Sequence, residues 1–236
     1  LNRPDNANTL NMKMIEELFS VSIECSTNKS IRAAILTGRG KLFCAGADLA
    51  VLTEMCSHGE AQILKMATII HAAVTRFSQM DAPLVVAVNG AAGGGGFSLA
   101  LAGDYVIASD KAKFVSAYTA SALTPDGSST YFLAKHVGLL RAKELAMTNR
   151  VLSPDEALEW GLVNKVVSAD ELASEARKIA GVFATGPTKA FGGLKRLLQT
   201  AFSDTMETQL DKESVSVASM MLTHDAPHAI ASFLNK

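Results

Sequence analysis

Cysteine is scarce in this chain of 236 residues, and neither sign of charge is in clear excess. The three cysteines, Cys25, Cys44 and Cys56, are an odd number without a Cys-x-x-Cys pair. This pattern argues against a disulfide framework and favours reduced thiols in a cytosol-like compartment. Lys and Arg total 22 against 23 Asp and Glu, for a net charge of −1. A balanced charge argues against a protein that binds nucleic acid through a basic face.

Long hydrophobic runs and metal-ligand patterns are also missing. The longest strongly apolar run is residues 83–88, whereas a membrane-spanning helix needs roughly 20 residues. The first residues, LNRPDN, show no apolar signal region, so we expect no membrane span and a cytoplasmic location. The five histidines, at positions 58, 71, 136, 224 and 228, show no ligand spacing, and we expect no metal site.

The chain does contain enough apolar residues, 48% of the total, to bury a large core. In the first half, short apolar runs typical of buried strands (32–37, 84–88 and 105–108) alternate with helical patterns (10–25, 59–80 and 96–102). This alternation predicts an α/β fold. Beyond about residue 127 nearly all of the chain is predicted helical, over 128–136, 139–147, 154–160, 169–184, 187–201, 205–222 and 226–234.

Two loops rich in small residues, 38–49 and 89–98, each follow a predicted buried strand. Neither has the spacing of a phosphate-binding P-loop or of a dinucleotide-binding loop. Either loop alone is compatible with an ordinary glycine turn. Together, however, they could present two backbone N–H groups to one oxygen, which is the geometry of an oxyanion hole.

Three segments carry a family resemblance: FCAGADL at 43–49, AVNGAAGGGG at 87–96 and SPDEALEWGLV at 153–163. They resemble the enoyl-CoA hydratase/isomerase (crotonase) superfamily. The resemblance implies a ββα-spiral core over residues 1–185 and a helical trimerisation region over 186–236. It also implies a homotrimer or a hexamer made of two trimers. The substrate would be an acyl-CoA, with no cofactor other than the coenzyme A of the thioester itself.

The same resemblance implies a set of site residues. The N–H groups of Ala45 and Gly95 would hold the thioester oxygen. The residues expected to bind substrate or coenzyme A are Cys44, Ala45, Ala47, Asp48, Leu49, Gly94, Gly95, Phe97, Tyr118 and Leu123. Four basic residues could contact the coenzyme A phosphates: Arg3, Lys41, Lys189 and Lys195. A solvated surface position is the simpler interpretation for each of them.

The resemblance also bears on the reaction. Hydratases of this superfamily use two glutamates, whose positions fall on Ser98 and Tyr118 here, so a hydratase acid/base pair is not expected. Asp126 falls where some members carry a single catalytic Asp, although an Asp there also suits a helix cap. We expect Asp126 to shuttle a proton in an enoyl-CoA isomerase, partly desolvated by Phe97, Tyr118 and Leu123. The segment Pro-Asp-Gly-x-x-Thr at 125–130 resembles ring-1,2-epoxyphenylacetyl-CoA isomerases.

Three alternatives stay open at this point. Asp126 is a nucleophile in the first, as in 4-chlorobenzoyl-CoA dehalogenases, with His71 activating water. His71 also stands beside Ile70 and Val74 on a predicted helix, which favours a structural histidine. The second alternative is an enoyl-CoA hydratase. The third is a catalytically silent CoA-binding scaffold, and the acyl group itself is not predicted.

Overall fold

The computed structural model describes residues 1–56 and 59–234. The α-helices are α1 (Met12–Thr27), α2 (Leu49–Cys56), α3 (Glu60–Gln79), α4 (Gly95–Leu101), α5 (Ser129–Thr148), α6 (Pro154–Glu159), α7 (Leu172–Thr185), α8 (Thr188–Thr200), α9 (Met206–Met221) and α10 (Asp225–Leu234). The strands are β1 (Ala34–Thr37), β2 (Leu84–Val88), β3 (Ala91–Gly93), β4 (Tyr105–Ser109), β5 (Lys113–Val115) and β6 (Lys165–Val167).

Two parallel sheets organise the first part of the chain. One has the strand order β1-β2-β4-β6, and the other pairs β3 with β5. After β2 the chain passes directly into β3, and after β4 it passes into β5, so successive turns add a strand to each sheet. After β1 the chain likewise pairs beside the second sheet, through an isolated parallel bridge between Cys44 and Ala92 of β3. This arrangement is the ββα spiral expected from the sequence.

The elements predicted from periodicity agree closely with those observed. Strand β2 has the predicted bounds, and α5 is broken at Gly138, where the sequence predicted two separate helices. Helix α6 begins with the capping box formed by Ser153 and Glu156. The strands β3, β5 and β6 were not predicted, because each has three residues and is specified by its pairing partners rather than by a local pattern.

Helix α8 is attached to the spiral core by a lysine that sequence analysis had left as a possible phosphate contact. The ammonium group of Lys195 lies 2.6 Å from Asp104 and donates to the carbonyl oxygen of Phe77 at 2.9 Å. The side chain is only 9% exposed. Both interpretations of Lys195, a solvated surface position and a contact with a coenzyme A phosphate, are therefore wrong, because its charge is buried against Asp104.

In residues 1–56 and 59–234 there is no helix whose length and hydropathy would allow it to cross a bilayer. This finding agrees with the absence of a long apolar run in the sequence.

Candidate active site

The two glycine-rich loops meet at the carboxyl side of β1 and β2. A Cβ atom at Gly46 would lie 2.9 Å from the carbonyl oxygen of Gly93 and 3.4 Å from the amide nitrogen of Gly95. A Cβ atom at Gly96 would lie 2.1 Å from the carbonyl oxygen of Cys44. These glycines are required because the two backbones touch, which is the close approach that the sequence predicted.

The N–H groups of Ala47 and Gly95 are the donors that this junction offers. Leu10 donates to the carbonyl oxygen of Gly46 at 2.8 Å, and Asp48 donates to the carbonyl oxygen of Leu10 at 3.0 Å. Because an extended backbone alternates direction, the N–H of Ala47 between them faces away from Leu10. Gly95 is the first residue of α4, so its N–H has no acceptor within the helix. Both residues line the same cavity.

The prediction for Ala45 is wrong. Its N–H donates to the carbonyl oxygen of Ala7 at 3.1 Å, so that N–H is already paired. No local pattern shows which N–H groups of this loop are paired, because their directions depend on the pairing of the loop with residues 7–10.

The cavity has a volume of about 580 Å³. Its walls are mostly apolar and come from α1, α2, α3, α4 and the segment before α5. Six of the residues that the sequence predicts for the active site line it: Ala47, Leu49, Gly95, Tyr118, Leu123 and Asp126. Helix α3 contributes Ile63, Met66, Ala67, Ile70 and Val74. Asp126 is the single charged residue among the described residues of the lining.

Besides Ala45, four of the predicted contact residues lie outside the lining. Phe97 is buried and packs on Phe114, with ring centroids 5.7 Å apart. Cys44 is also buried, and burial raises the pKa of its thiol to about 11, so it is a neutral space-filling group. The N–H of Gly94 donates to the carbonyl oxygen of Val115.

The fourth is Asp48, whose carboxylate lies 3.1 Å from the Arg3 guanidinium, just before α2. Desolvation is the largest single effect on Asp48 and raises its pKa, but the hydrogen bonds to its carboxylate, led by the one from Arg3, together outweigh it and lower the pKa. Arg3 and Asp48 thus hold the first loop together, and neither reaches the acyl cavity as a charged group.

Asp126 contacts His71, for which the sequence favours a structural role. Its Oδ1 accepts a hydrogen bond from the N–H of Gly127 at 2.6 Å and lies against Nε2 of His71. The side chain of His71 is 49% exposed and that of Asp126 is 43% exposed. The expected desolvation by Phe97 is therefore wrong, since Phe97 packs in the core. The sequence signal that could have placed His71 near the cavity was its position next to Ile70 on the apolar stripe of α3.

Two hydroxyl groups occupy the positions where the sequence resemblance places the hydratase glutamates. Ser98 Oγ and Tyr118 Oη lie 2.9 Å apart. Both reach the main-chain carbonyl oxygen of Asp126, at 2.7 Å from Ser98 Oγ and 3.0 Å from Tyr118 Oη. Burial raises the pKa of Tyr118 to about 12, so this phenol is neutral. Neither group can act as the carboxylate base that activates water.

Across the described ranges, 1–56 and 59–234, no cluster of three or more His, Cys, Asp and Glu side chains is placed to hold a metal ion. The site consists of two backbone donors, one carboxylate with a histidine beside it, and an apolar cavity.

Comparison with known proteins agrees with this composition. A sequence model of the family described as enoyl-CoA hydratase/isomerase matches residues 1–236. The chain belongs to the enoyl-CoA hydratase/isomerase family. Its spiral is the crotonase fold: a crystal structure of an enoyl-CoA hydratase from Polaromonas sp. JS666 superimposes with a TM-score of 0.95 at 32% identity, covering 100% of this chain and 91% of that one.

Relatives within the family differ in reaction. The chain is 36% identical to 1,2-epoxyphenylacetyl-CoA isomerase of Escherichia coli K12 over 238 residues, covering 100% of this chain and 90% of the isomerase. It is 32% identical to 4-chlorobenzoyl coenzyme A dehalogenase-2 of an Arthrobacter species over 239 residues, covering 99% of this chain and 85% of the dehalogenase. Family membership therefore establishes an acyl-CoA-processing enzyme, and the residues around the cavity must decide the reaction.

Proposed function

We propose that this enzyme moves the double bond of a 3-enoyl-CoA into conjugation with its thioester, using Asp126 as a proton shuttle. The observation that carries this proposal is the composition of the cavity, where Asp126 is the single charged residue among the described lining residues. One carboxylate suffices to remove a proton and return it elsewhere. Adding water in the hydratase manner needs a second carboxylate, and Ser98 and Tyr118 supply neutral hydroxyls instead.

The proposed proton steps use one oxygen of Asp126. Oδ1 of Asp126 is engaged by Gly127 and His71, so Oδ2 is the oxygen available to the substrate. The C2–H bond breaks, its proton passes to Asp126, and the electron pair spreads over the thioester as a dienolate. The protonated carboxyl then returns the proton to C4, leaving the C2–C3 double bond and the carboxylate regenerated.

The dienolate needs stabilisation as it forms. Ala47 and Gly95 line the same cavity as Asp126, so we assign their N–H groups to the thioester oxygen. Preorganised donors of this type typically lower a barrier by about 3 to 4 kcal/mol each. This assignment replaces Ala45 with Ala47 and keeps Gly95 from the sequence analysis.

A dehalogenase-like hydrolase is the second candidate, because His71 lies against Asp126 and a 4-chlorobenzoyl coenzyme A dehalogenase is among the relatives. In that reaction Asp126 would attack the ring carbon that bears chlorine, and chloride would leave. Water activated by His71 would then attack the Asp126 carboxyl carbon and release the phenol, with one water oxygen retained in the carboxylate.

Three substrates separate the candidates. We would incubate the protein with 3-hexenoyl-CoA, crotonyl-CoA and 4-chlorobenzoyl-CoA, following 2-enoyl absorbance and released chloride. An isomerase gains absorbance with the first substrate and loses none with the second. Chloride release, with ¹⁸O from labelled water entering Asp126 in a single turnover, would establish the hydrolase. Binding without turnover of any substrate would indicate a silent scaffold.

Asp126→Asn is the decisive variant, and Asp170→Asn, on the surface before α7, is its matched control. We expect Asp126→Asn to lower the isomerisation rate by at least about 1,000-fold, because an amide cannot take the proton. The control should keep the wild-type rate. An Asp126→Asn variant with undiminished isomerisation would rule out the shuttle.

We also propose that the enzyme is a homotrimer or a hexamer. Large apolar side chains are exposed in α5 and in the C-terminal part of the chain, among them Leu139, Leu140, Met147, Phe202, Met206 and Leu222. Single chains rarely leave so many such groups in water, which favours burial between subunits. Light scattering should give the mass of a trimer or hexamer, and a monomer at micromolar concentration would contradict this proposal. A cytoplasmic location stays a prediction of the sequence.

A further inference from the structure

The loop that carries Asp126 lacks regular secondary structure, yet its position must be fixed for a proton shuttle. The loop runs from the 3₁₀ turn Thr119–Ser121 to the start of α5. Gly127 and Ser128 both have positive φ angles, of 63° and 74°. Ser128 adopts this left-handed conformation without being a glycine, which costs free energy and requires support from its surroundings.

That support comes from the two hydroxyl groups. Ser98 Oγ is 2.7 Å and Tyr118 Oη 3.0 Å from the carbonyl oxygen of Asp126, and the hydroxyls lie 2.9 Å from each other. Ser98 is 1% exposed, so its hydrogen bond to the loop is shielded from competing water. A Cβ atom at Gly127 would lie 3.0 Å from Cβ of Ser98, which shows how closely the loop is seated on α4.

Helix α4 also carries the oxyanion donor. Gly95 and Ser98 are three residues apart, so they lie on the same face of this helix. A Cβ atom at Gly95 would lie 3.9 Å from Tyr118 Oη, which places the phenol between the oxyanion donor and the base loop. One rigid turn therefore sets the distance between the thioester oxygen and the carboxylate.

From these contacts we infer that Ser98 and Tyr118 are positioning residues that hold the Asp126 carboxylate at a fixed distance from the oxyanion donor of Gly95. The inference rests on the proposed isomerase function. In the proposed reaction the same carboxylate must reach C2 to remove a proton and C4 to return it. If the loop is loosened, we expect the carboxylate of Asp126 still to remove the proton at C2 but to return it less often at C4.

The test uses Ser98→Ala, Tyr118→Phe and the double variant in the full chain. Matched controls are Ser109→Ala, a buried serine on β4, and Tyr105→Phe, a tyrosine on the same strand that packs on Phe183. With 3-hexenoyl-CoA the double variant should lose about 100-fold in kcat, the effect of a displacement near 1 Å, with KM changed less than about threefold. The controls should match the wild type in both constants.

Two further measurements distinguish positioning from a general structural effect. In D₂O, the ratio of C2 deuteration in recovered substrate to isomerised product should rise in the double variant. Amide hydrogen exchange in the peptide 119–128 should become faster, whereas the controls change neither quantity.

Each outcome bears on the inference separately from the proposed function. Unchanged exchange in 119–128 would show that the hydroxyls do not hold the loop, whether or not the enzyme turns over. A faster loop with unchanged kcat and unchanged deuteration ratio would show that holding it does not position the base. A wild-type enzyme that fails to isomerise 3-hexenoyl-CoA would overturn the proposed function, while loop exchange would still decide whether the two hydroxyls hold the loop.

Discussion

The two halves of the site are built differently. On the proposed oxyanion side, the backbones of two loops meet at Gly46 and Gly96, where an added Cβ would collide with a carbonyl oxygen. On the base side, Asp126 and His71 are side chains that are each nearly half exposed. The first half is fixed by steric contact, and the second by a few hydrogen bonds. We therefore expect a change of reaction to require substitutions on the base side, where side chains can be exchanged, rather than on the backbone side.

The strongest way to break this comparison is Gly46→Ala. Gly46 has a φ of 102°, and the new Cβ would lie 2.9 Å from the carbonyl oxygen of Gly93, so the loops must separate. Losing alignment of the oxyanion donors should lower kcat by about 100- to 1,000-fold, measured with 3-hexenoyl-CoA. Gly181→Ala is the control, because Gly181 lies in α7 with open space around it. Equal activity of both variants would contradict the steric origin of this half.

A second test concerns the buried thiol behind the first loop. The folded-state pKa of Cys44 is about 11, against 9 in the unfolded chain, because burial disfavours the thiolate. A raised folded pKa contributes stability that is complete below pH 9 and lost as pH rises from 9 to 11.

Over that range the wild type should therefore lose on the order of 2 kcal/mol more free energy of unfolding than Cys44→Ala. Urea unfolding at several pH values measures the difference, with Cys25→Ala as a control at a partly buried thiol. Parallel pH curves for wild type and Cys44→Ala would show that Cys44 is not shielded in the folded state.

The smallest effect is expected on the base side, for His71→Gln. Because both partners are nearly half exposed, their contact should contribute about 0 to 1 kcal/mol to stability. In an isomerase the variant should reduce kcat by no more than about tenfold, since Asp126 keeps its hydrogen bond from Gly127. In a hydrolase, the variant should instead be unable to hydrolyse the ester between Asp126 and the aromatic ring. Rapid-quench kinetics with 3-hexenoyl-CoA and 4-chlorobenzoyl-CoA distinguish these results.

Local sequence patterns predicted much of the fold. Strand β2 and helices α1, α3 and α4 follow from apolar periodicity, and Ser153 marks the start of α6 through its capping box. The short strands β3 and β5 could not be found in this way, since three residues carry no usable period and are held by each other. Helix α2 was missed for a different reason: its start after Asp48 depends on the conformation of the first loop.

For the site, the sequence by itself determined which residue types are present: the glycine-rich loops, the single carboxylate at 126, and hydroxyls at 98 and 118. Tertiary structure alone decided how they are used. It turned Ala47 rather than Ala45 toward the cavity, because pairing with residues 7–10 sets the direction of each N–H. It also brought His71 to Asp126, 55 residues further along the chain. Contacts of this range arise from packing of the spiral, and no local pattern specifies them.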